Sequence, residues 1–228
     1  MSAEIQARKQ RELTGQVLFG ALLVWCLGLI AVRVGRTGSD HFMFLIWNLF
    51  LACIPLAASR LLRIFHHRRS LDVAQLVLLA VWLLFLPNAP YILTDMVHLA
   101  PSSPLLYWYD LGMLLSCALT GLLLGYSSMF DVHRVVEERF GPKLGWVVAV
   151  TALVLSGYGV YLGRVLRWNS WDVLTNPRGL FGSIADCILN PALHLHTYLV
   201  SGFFGIAFLL GYAVLHSMTR ARTTLALD

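Results

Sequence analysis

Charge is what this chain has least of. Of 228 residues only 13% are Asp, Glu, Lys or Arg, about half the share of an ordinary soluble domain. With 58% hydrophobic residues and a mean hydropathy of +0.71, the composition excludes a water-soluble globule. It predicts a single integral membrane domain. Cysteine is sparse, and Cys26, Cys53, Cys117 and Cys187 form no C-x-x-C pair. Three of them sit inside apolar runs, where a thiol behaves as a small hydrophobe, so neither a disulfide nor a zinc finger is expected. No Lys/Arg-rich arm with interleaved aromatics is present, so the net charge of +5 is not a nucleic-acid signature. There is no G-x-S-x-G, Walker loop, Rossmann glycine pattern or H-E-x-x-H, which removes the enzyme classes those motifs define. No cofactor is implied. The absence of an internal repeat argues against a secondary transporter built from inverted halves.

What is present is a succession of apolar runs. A spanning helix needs about 20 mostly apolar residues. Leu13–Val32, Phe42–Leu62, Leu71–Leu86 with a broken continuation to Leu99, Leu105–Phe130, Leu144–Leu166 and Leu195–Ser217 all qualify or nearly so. The expected architecture is an all-α polytopic helix bundle of about six spans with a broken third helix. The first run is longer than the apolar core of a signal peptide, and no small-x-small cleavage site follows, so an uncleaved helix is expected. Leu180, Phe181, Ile184, Ile188 and Leu189 repeat at helical spacing, with Ser183, Asp186 and Asn190 opposite. That pattern predicts a short interfacial helix before the last span. Residues 1–12 then form an N-terminal segment, 13–217 the bundle and 218–228 a tail.

Basic residues set the orientation. Twelve lie in alternate segments: Arg8, Lys9 and Arg11; Arg60, Arg63, Arg68 and Arg69; Arg134, Arg139 and Lys143; Arg220 and Arg222. Five lie on the other side: Arg33, Arg36, Arg164, Arg167 and Arg178. Both termini are expected in the cytoplasm of a cell inner membrane.

Polar residues gather where the third run ends. In FLPNAPYILTDMVHL, Pro87 breaks the helix, Asn88 can cap a new one, and Pro90 fits its first turn. If helix resumes there, Asn88, Tyr91, Asp95 and His98 share a face at intervals of three, four and three. At about 1.5 Å per residue, Pro87 lies roughly 24 Å above Leu71, and Arg164 lies about 30 Å above Leu144. Asp110 enters the next span just below Tyr107, Trp108 and Tyr109. Three spans therefore bring polar groups to one extracytoplasmic layer. In GYGVYLGRVLRWNSWD, Gly159 and Gly163 permit close helix approach. A continuing helix would align Arg164, Arg167, Trp168 and Trp171, an arginine pair able to clamp a phosphate or carboxylate. The alternative is an ion-pair network of Asp95, Asp110 and Asp172 against Arg164 and Arg167. Such a network needs no ligand and suits an accessory or scaffold protein.

As a site, Asp95 and His98 could form an acid/base pair. Asn88, Tyr91, Asp110, Arg164, Arg167, Trp168, Asn169, Trp171 and Asp172 would bind an anionic lipid or lipid-linked substrate, with membrane lipid as partner. A small-solute transporter is a third reading. His194 and His196 could join His98 and Asp95 on a metal only from an extended segment, and no metal is assigned. His66 and His67 are expected in a solvated basic cluster, and His41, His133 and His216 at wet span ends. The two quoted stretches, LPNAPYILTDMVHL and GVYLGRVLRWNSWD, resemble the signatures of a bacterial integral membrane family catalogued as domain of unknown function 1361. The similarity in hydropathy extends over roughly Leu13 to Ser217. It implies a multi-pass bacterial membrane protein and brings no reaction with it.

Overall fold

The structure is a computed structural model, which describes residues 3–65, 72–99 and 103–224. His66, His67, Arg68, Arg69 and the expected start of the third span at Leu71 lie outside the described residues. So do the side chains of Arg8, Lys9, Arg11, Arg220 and Arg222. Among the described residues the fold is all helical, and six helices are long and apolar enough to cross a membrane.

In chain order the elements are α1 (Ala3–Thr37), α2 (Phe44–Phe65), α3 (Val73–Phe85), α4 (Asn88–Tyr91), a 3-10 segment (Ile92–His98), α5 (Pro104–Phe140), α6 (Pro142–Arg164), α7 (Asp172–Thr175), α8 (Pro177–Leu189) and α9 (Leu195–Thr224). Helix α1 begins ten residues before the apolar run, because the polar start Ala3–Glu12 winds on the same axis. Helix α5 likewise runs past Phe130, and its polar end carries an Arg134–Glu138 pair one turn apart at 2.7 Å. The expected helix before the last span is present as α8, which buries Leu180 and Cys187 and leaves Phe181, Ile188 and Leu189 exposed. Apolar exposure on that face fits a helix lying in the membrane boundary.

Helix α5 is the axis of the bundle. It packs against α1, α2, α4, the 3-10 segment and α6, while α9 packs along α6 and reaches α5 through Tyr126 and His133. The α6–α9 contact depends on Gly157 and Gly205. A Cβ on Gly157 would collide with the backbone of Ser201 and Gly205, so the bare glycine lets the two backbones touch. Gly159 and Gly163 serve another contact: Gly159 seats the Pro87 ring and Gly163 the Tyr91 ring. Helix α3 starts with a reciprocal capping box between Asp72 and Gln75, and the Gln75 amide also donates to the Phe65 carbonyl at 2.7 Å.

The break in the third span is real, but it is not capped as expected. Pro87 occupies the cap position, and the Asn88 side chain reaches back to the Phe85 carbonyl at 3.0 Å. Only one α-turn follows before the chain tightens to 3-10 winding, which advances about 120° per residue instead of 100°. The face expected from α-helical spacing is therefore partly redistributed. His133 and His216 are not wet. They are 1% and 9% exposed, stack at 4.9 Å, and pack with Trp146 and Tyr212 between α5, α6 and α9. An aromatic shell from three helices reaches further down the bundle than hydropathy alone indicates.

Candidate functional site

Tyr91, Thr94, Asp95 and His98 of the broken third span meet Arg164, which ends α6. Asp95 is 1% exposed and pairs through Oδ1 with Arg164 Nη2. Its Oδ2 accepts from Asn48 Nδ2 of α2 at 2.8 Å. Arg164 Nε donates to Thr94 Oγ1 at 2.8 Å, and its Nη1 lies 3.3 Å from His98 Nε2. The guanidinium covers the Tyr91 ring at 4.4 Å. Each of the three guanidinium nitrogens has a neighbour, and the Tyr91 ring covers one face, so the arginine is held in place. His98 touches Arg164, with its ring 4.8 Å from Phe44; Asp95 and His98, the expected acid/base pair, thus both contact the same guanidinium.

Other members of the expected layer stand elsewhere. Asp110 pairs with Arg33 of α1, at 2.5 Å to Nε and 3.1 Å to Nη2. Arg33 also donates to Thr37 at 2.6 Å and lies over Phe42. Because α1 stays helical to Thr37, Arg33 is a buried helix residue facing α5 rather than a loop cation, and it takes the carboxylate first. Arg167 does not continue the arginine face. The helix ends at Arg164, and Arg167 adopts a left-handed φ of 60° on an exposed turn. The turn closes with the Trp168 amide on the Leu162 carbonyl at 3.0 Å. No Arg164–Arg167 clamp forms, since one guanidinium is held by Asp95 and the other points from a reversed backbone.

Asp172 also leaves the ion-pair network. Its carboxylate accepts from the Asn169 backbone amide at 2.7 Å, the Asn169 side chain at 3.3 Å and Thr175 at 2.9 Å. The Asn169 amide first, then the Thr175 hydroxyl, hold the Asp172 carboxyl below the usual carboxylate range. Asn88, Asn169, Ser170 and Trp171 cluster on the other side of Tyr91, and Asn88 donates to Ser170 at 2.9 Å. His194 engages Asp186 at 2.8 Å, and the His196 ring packs near Tyr161. The Asn190 amide and then His194 hold the Asp186 carboxyl low. His98 is thus not joined by His194 and His196. Among the described residues no group of three His, Cys, Asp or Glu side chains is placed to hold a metal ion.

Behind the break lies a cavity of about 910 Å³ between α2, α3, α4, α6 and the α7–α8 segment. Leu51, Leu84 and Leu162 give it an aliphatic lining, with the exposed Ala80 at its edge. Trp47, Trp168 and Trp171 stand around it, with Trp47 and Trp171 edge to face at 6.0 Å. Its polar groups are the amides of Asn48, Asn88 and Asn169, the hydroxyls of Ser170 and Tyr91 and the indole N–H groups of the three tryptophans, and no lining residue is charged. Lining residues Trp47, Leu83, Leu155 and Phe181 are 51%, 37%, 44% and 56% exposed, so the cavity opens sideways as well as at its end.

Sequence reading passed over a third ion-pair group at the opposite end of the bundle. Asp131 of α5 is held by Arg60 at 3.0 Å and Arg63 at 2.9 Å, with Ser59 at 3.3 Å. The signal was available: two arginines three apart, at a depth matching a lone aspartate in a neighbouring span. Asn48 was also missed, because a single neutral polar residue in an apolar run carries no pattern of its own, as were Thr94 and Ser170, hydroxyls overshadowed by their charged and amide neighbours.

Six membrane-length helices, five of them joined by contacts between a buried carboxylate and a guanidinium, with an interrupted span beside an uncharged cavity, define a polytopic α-helical membrane protein. The chain belongs to the family described as protein of unknown function (DUF1361), which matches residues 47–210. That stretch contains the Asp95–Arg164 contact and the whole cavity lining; it leaves out α1 and Arg33. No curated protein and no solved structure matches the chain.

Proposed function

We propose that the protein binds a membrane lipid or lipid-linked molecule in the cavity behind the broken third span, at the extracytoplasmic interface of a cell inner membrane. The observation that carries this reading is a 910 Å³ space, largely aliphatic and aromatic, that opens between membrane-length helices. In a bilayer the medium at such an opening is hydrocarbon, so an acyl or isoprenoid chain fills it without leaving apolar surface in contact with water. The amides of Asn48 and Asn88 supply the few polar contacts that orient a ligand in an apolar pocket. Asp95 and Arg164 act in this reading as positioning residues. Their contact fixes Tyr91 and Asn48, which are walls of the cavity.

The test is native mass spectrometry of protein purified in mild detergent. Wild type is expected to retain one lipid per chain. Ala80→Trp puts an indole ring at the exposed edge of the cavity, where it narrows the opening, and is expected to lose that lipid with little change in unfolding temperature. Equal lipid retention by a well-folded Ala80→Trp variant, or a lipid-free wild type, would overturn the proposal.

A scaffold function is the second reading. It is favoured by Arg33–Asp110, Asp95–Arg164 and Asp131 with Arg60 and Arg63, each joining different helices.

A further inference from the structure

We infer that residues 165–190 form a lid, latched by Ser170 to the break in the third span, that controls passage of the ligand between bilayer and cavity. This rests on the lipid-binding reading above. The segment supplies Trp168, Trp171, Leu180, Phe181 and Ile184 to the cavity wall, yet α8 packs chiefly on α7. Its polar groups are satisfied within the segment and the turn that follows it. Asp172 accepts from the Asn169 amide and the Thr175 hydroxyl, the Asn176 side chain caps Gly179, and Asp186 contacts Asn190 and His194. The Trp168 ring packs on Gly179, where an added Cβ would lie 2.8 Å from it. Among the described residues no hydrogen bond joins residues 172–186 to α1–α6. The stretch that covers the cavity therefore holds its own shape and rests on the bundle through apolar contact.

Polar contacts fasten it at its two ends. At the far end Tyr198 of α9 donates to the Cys187 carbonyl at 2.9 Å, and Cys187 is buried beside Thr197. At the near end Ser170 sits on the break. The last four carbonyls of a helix have no partner within it, and two of those that α3 leaves open are taken here. Ser170 Oγ donates to the Leu84 carbonyl at 3.2 Å, while Asn88 Nδ2 donates to the Phe85 carbonyl and, at 2.9 Å, to Ser170 Oγ. Trp171 adds its edge-to-face contact with Trp47. Arg167, with its φ of 60°, and Asn190, at φ −121° and ψ 57°, bound the segment. Rotation at such element-terminal residues moves a lid without unwinding its neighbours. In a bilayer, parting the apolar faces is not opposed by the hydrophobic effect, because lipid chains replace the lost contact. The closed state then depends on the hydrogen bonds at Ser170, each of small net worth. Opening widens the side where Leu83 and Leu155 are already exposed, and a chain slides in from the membrane.

The experiment compares full-length wild type with Ser170→Ala in mild detergent. Ser183→Ala is the control, because that hydroxyl bonds only to the Gly179 carbonyl inside α8, at 3.1 Å. Two rates are read: amide hydrogen exchange by mass spectrometry, and release of phosphatidylglycerol with a pyrene-labelled acyl chain into unlabelled vesicles. In wild type, amides of residues 172–186 are expected to exchange faster than those of α5 and α6. Ser170→Ala is expected to speed both that exchange and lipid release about tenfold, the worth of two ordinary hydrogen bonds. Exchange in α5 and α6 stays unchanged, and Ser183→Ala keeps both wild-type rates. Equal protection of residues 172–186 and α6 in wild type overturns the lid, a result that needs no variant. Ser170→Ala with either rate unchanged also overturns it and leaves lipid binding standing. A wild type that takes up no labelled lipid overturns the lipid-binding reading instead, and the latch is then judged by exchange alone.

Discussion

Asp95 shows what one carboxylate can organise. It lies between α2 and α6 with both oxygens hydrogen-bonded and 1% of its surface exposed. Removing it leaves Arg164 without its counter-charge in a low-dielectric setting. Breaking a fully buried pair costs about 3–5 kcal/mol. Because the Arg164 side chain keeps 24% of its surface exposed, solvent recovers part of that, and Asp95→Ala is expected to destabilise by roughly 2–3 kcal/mol. Replacing both residues with apolar ones, Asp95→Leu with Arg164→Met, should restore most of the loss. Unfolding followed by tryptophan fluorescence measures both. Recovery of stability without recovery of lipid retention would mean the pair positions a ligand site; recovery of both would favour the scaffold reading. Asp95 and Arg164 were legible in the sequence because charges beside apolar runs are rare and costly. Their exclusive pairing was not, since Asp110 offered an equally good carboxylate until α1 brought Arg33 to it.

At the scale of elements, the interruption in the third span is built from two sides. Pro87 breaks the helix, and Gly159 of α6 leaves room for its ring; a Cβ there would lie 2.5 Å from Pro87 Cγ and 2.6 Å from Cβ. Gly159→Ala is expected to lower stability by about 1–3 kcal/mol through overpacking and to push α6 away from the cavity wall. Gly182→Ala in α8, where nothing lies within 4 Å, is the matched control and should be neutral or mildly stabilising, as helix propensity predicts. Thermal unfolding of the two proteins side by side checks the difference. The turn after α6 has a separate support in Asp172. Its carboxyl is held low in the folded state, so its contribution is present above the unfolded value of about 3.9 and fades as pH falls through the lower folded value. Protection of the Asn169 amide in hydrogen exchange should therefore be intact at neutral pH and lost in strong acid, while Asp172→Ala should lose it at every pH. The break, the glycines and the aspartate could each be read in sequence. Which glycine met which neighbour could not, because spacing within α6 does not say what packs on it.

For the whole molecule the expected topology puts both termini in the cytoplasm. The polar layer of Asp95, Arg164, Asp110 and Arg33 then lies at the extracytoplasmic end, and Asp131 with Arg60 and Arg63 at the cytoplasmic end. A fluorescent protein fused after Asp228 should fold and fluoresce, and a secreted phosphatase inserted at Ser103 should be active. The opposite pair of results would invert the orientation and move the cavity to the other leaflet.

The sequence by itself determined the class and the count of spans, because burying backbone and apolar side chains in hydrocarbon permits few solutions for runs of this length. It also determined the place of the break, since proline cannot donate in the helix interior. Only the tertiary structure decided which carboxylate met which guanidinium and that Arg167 turned outward. It also decided that the open space behind the break is lined by amide, hydroxyl and indole groups and by no charged side chain. Those outcomes depend on the rotation of each helix about its axis, which is set by small-residue contacts such as Gly157 on Gly205 and Gly159 on Pro87. Such contacts join residues far apart in the chain, and no local pattern encodes them.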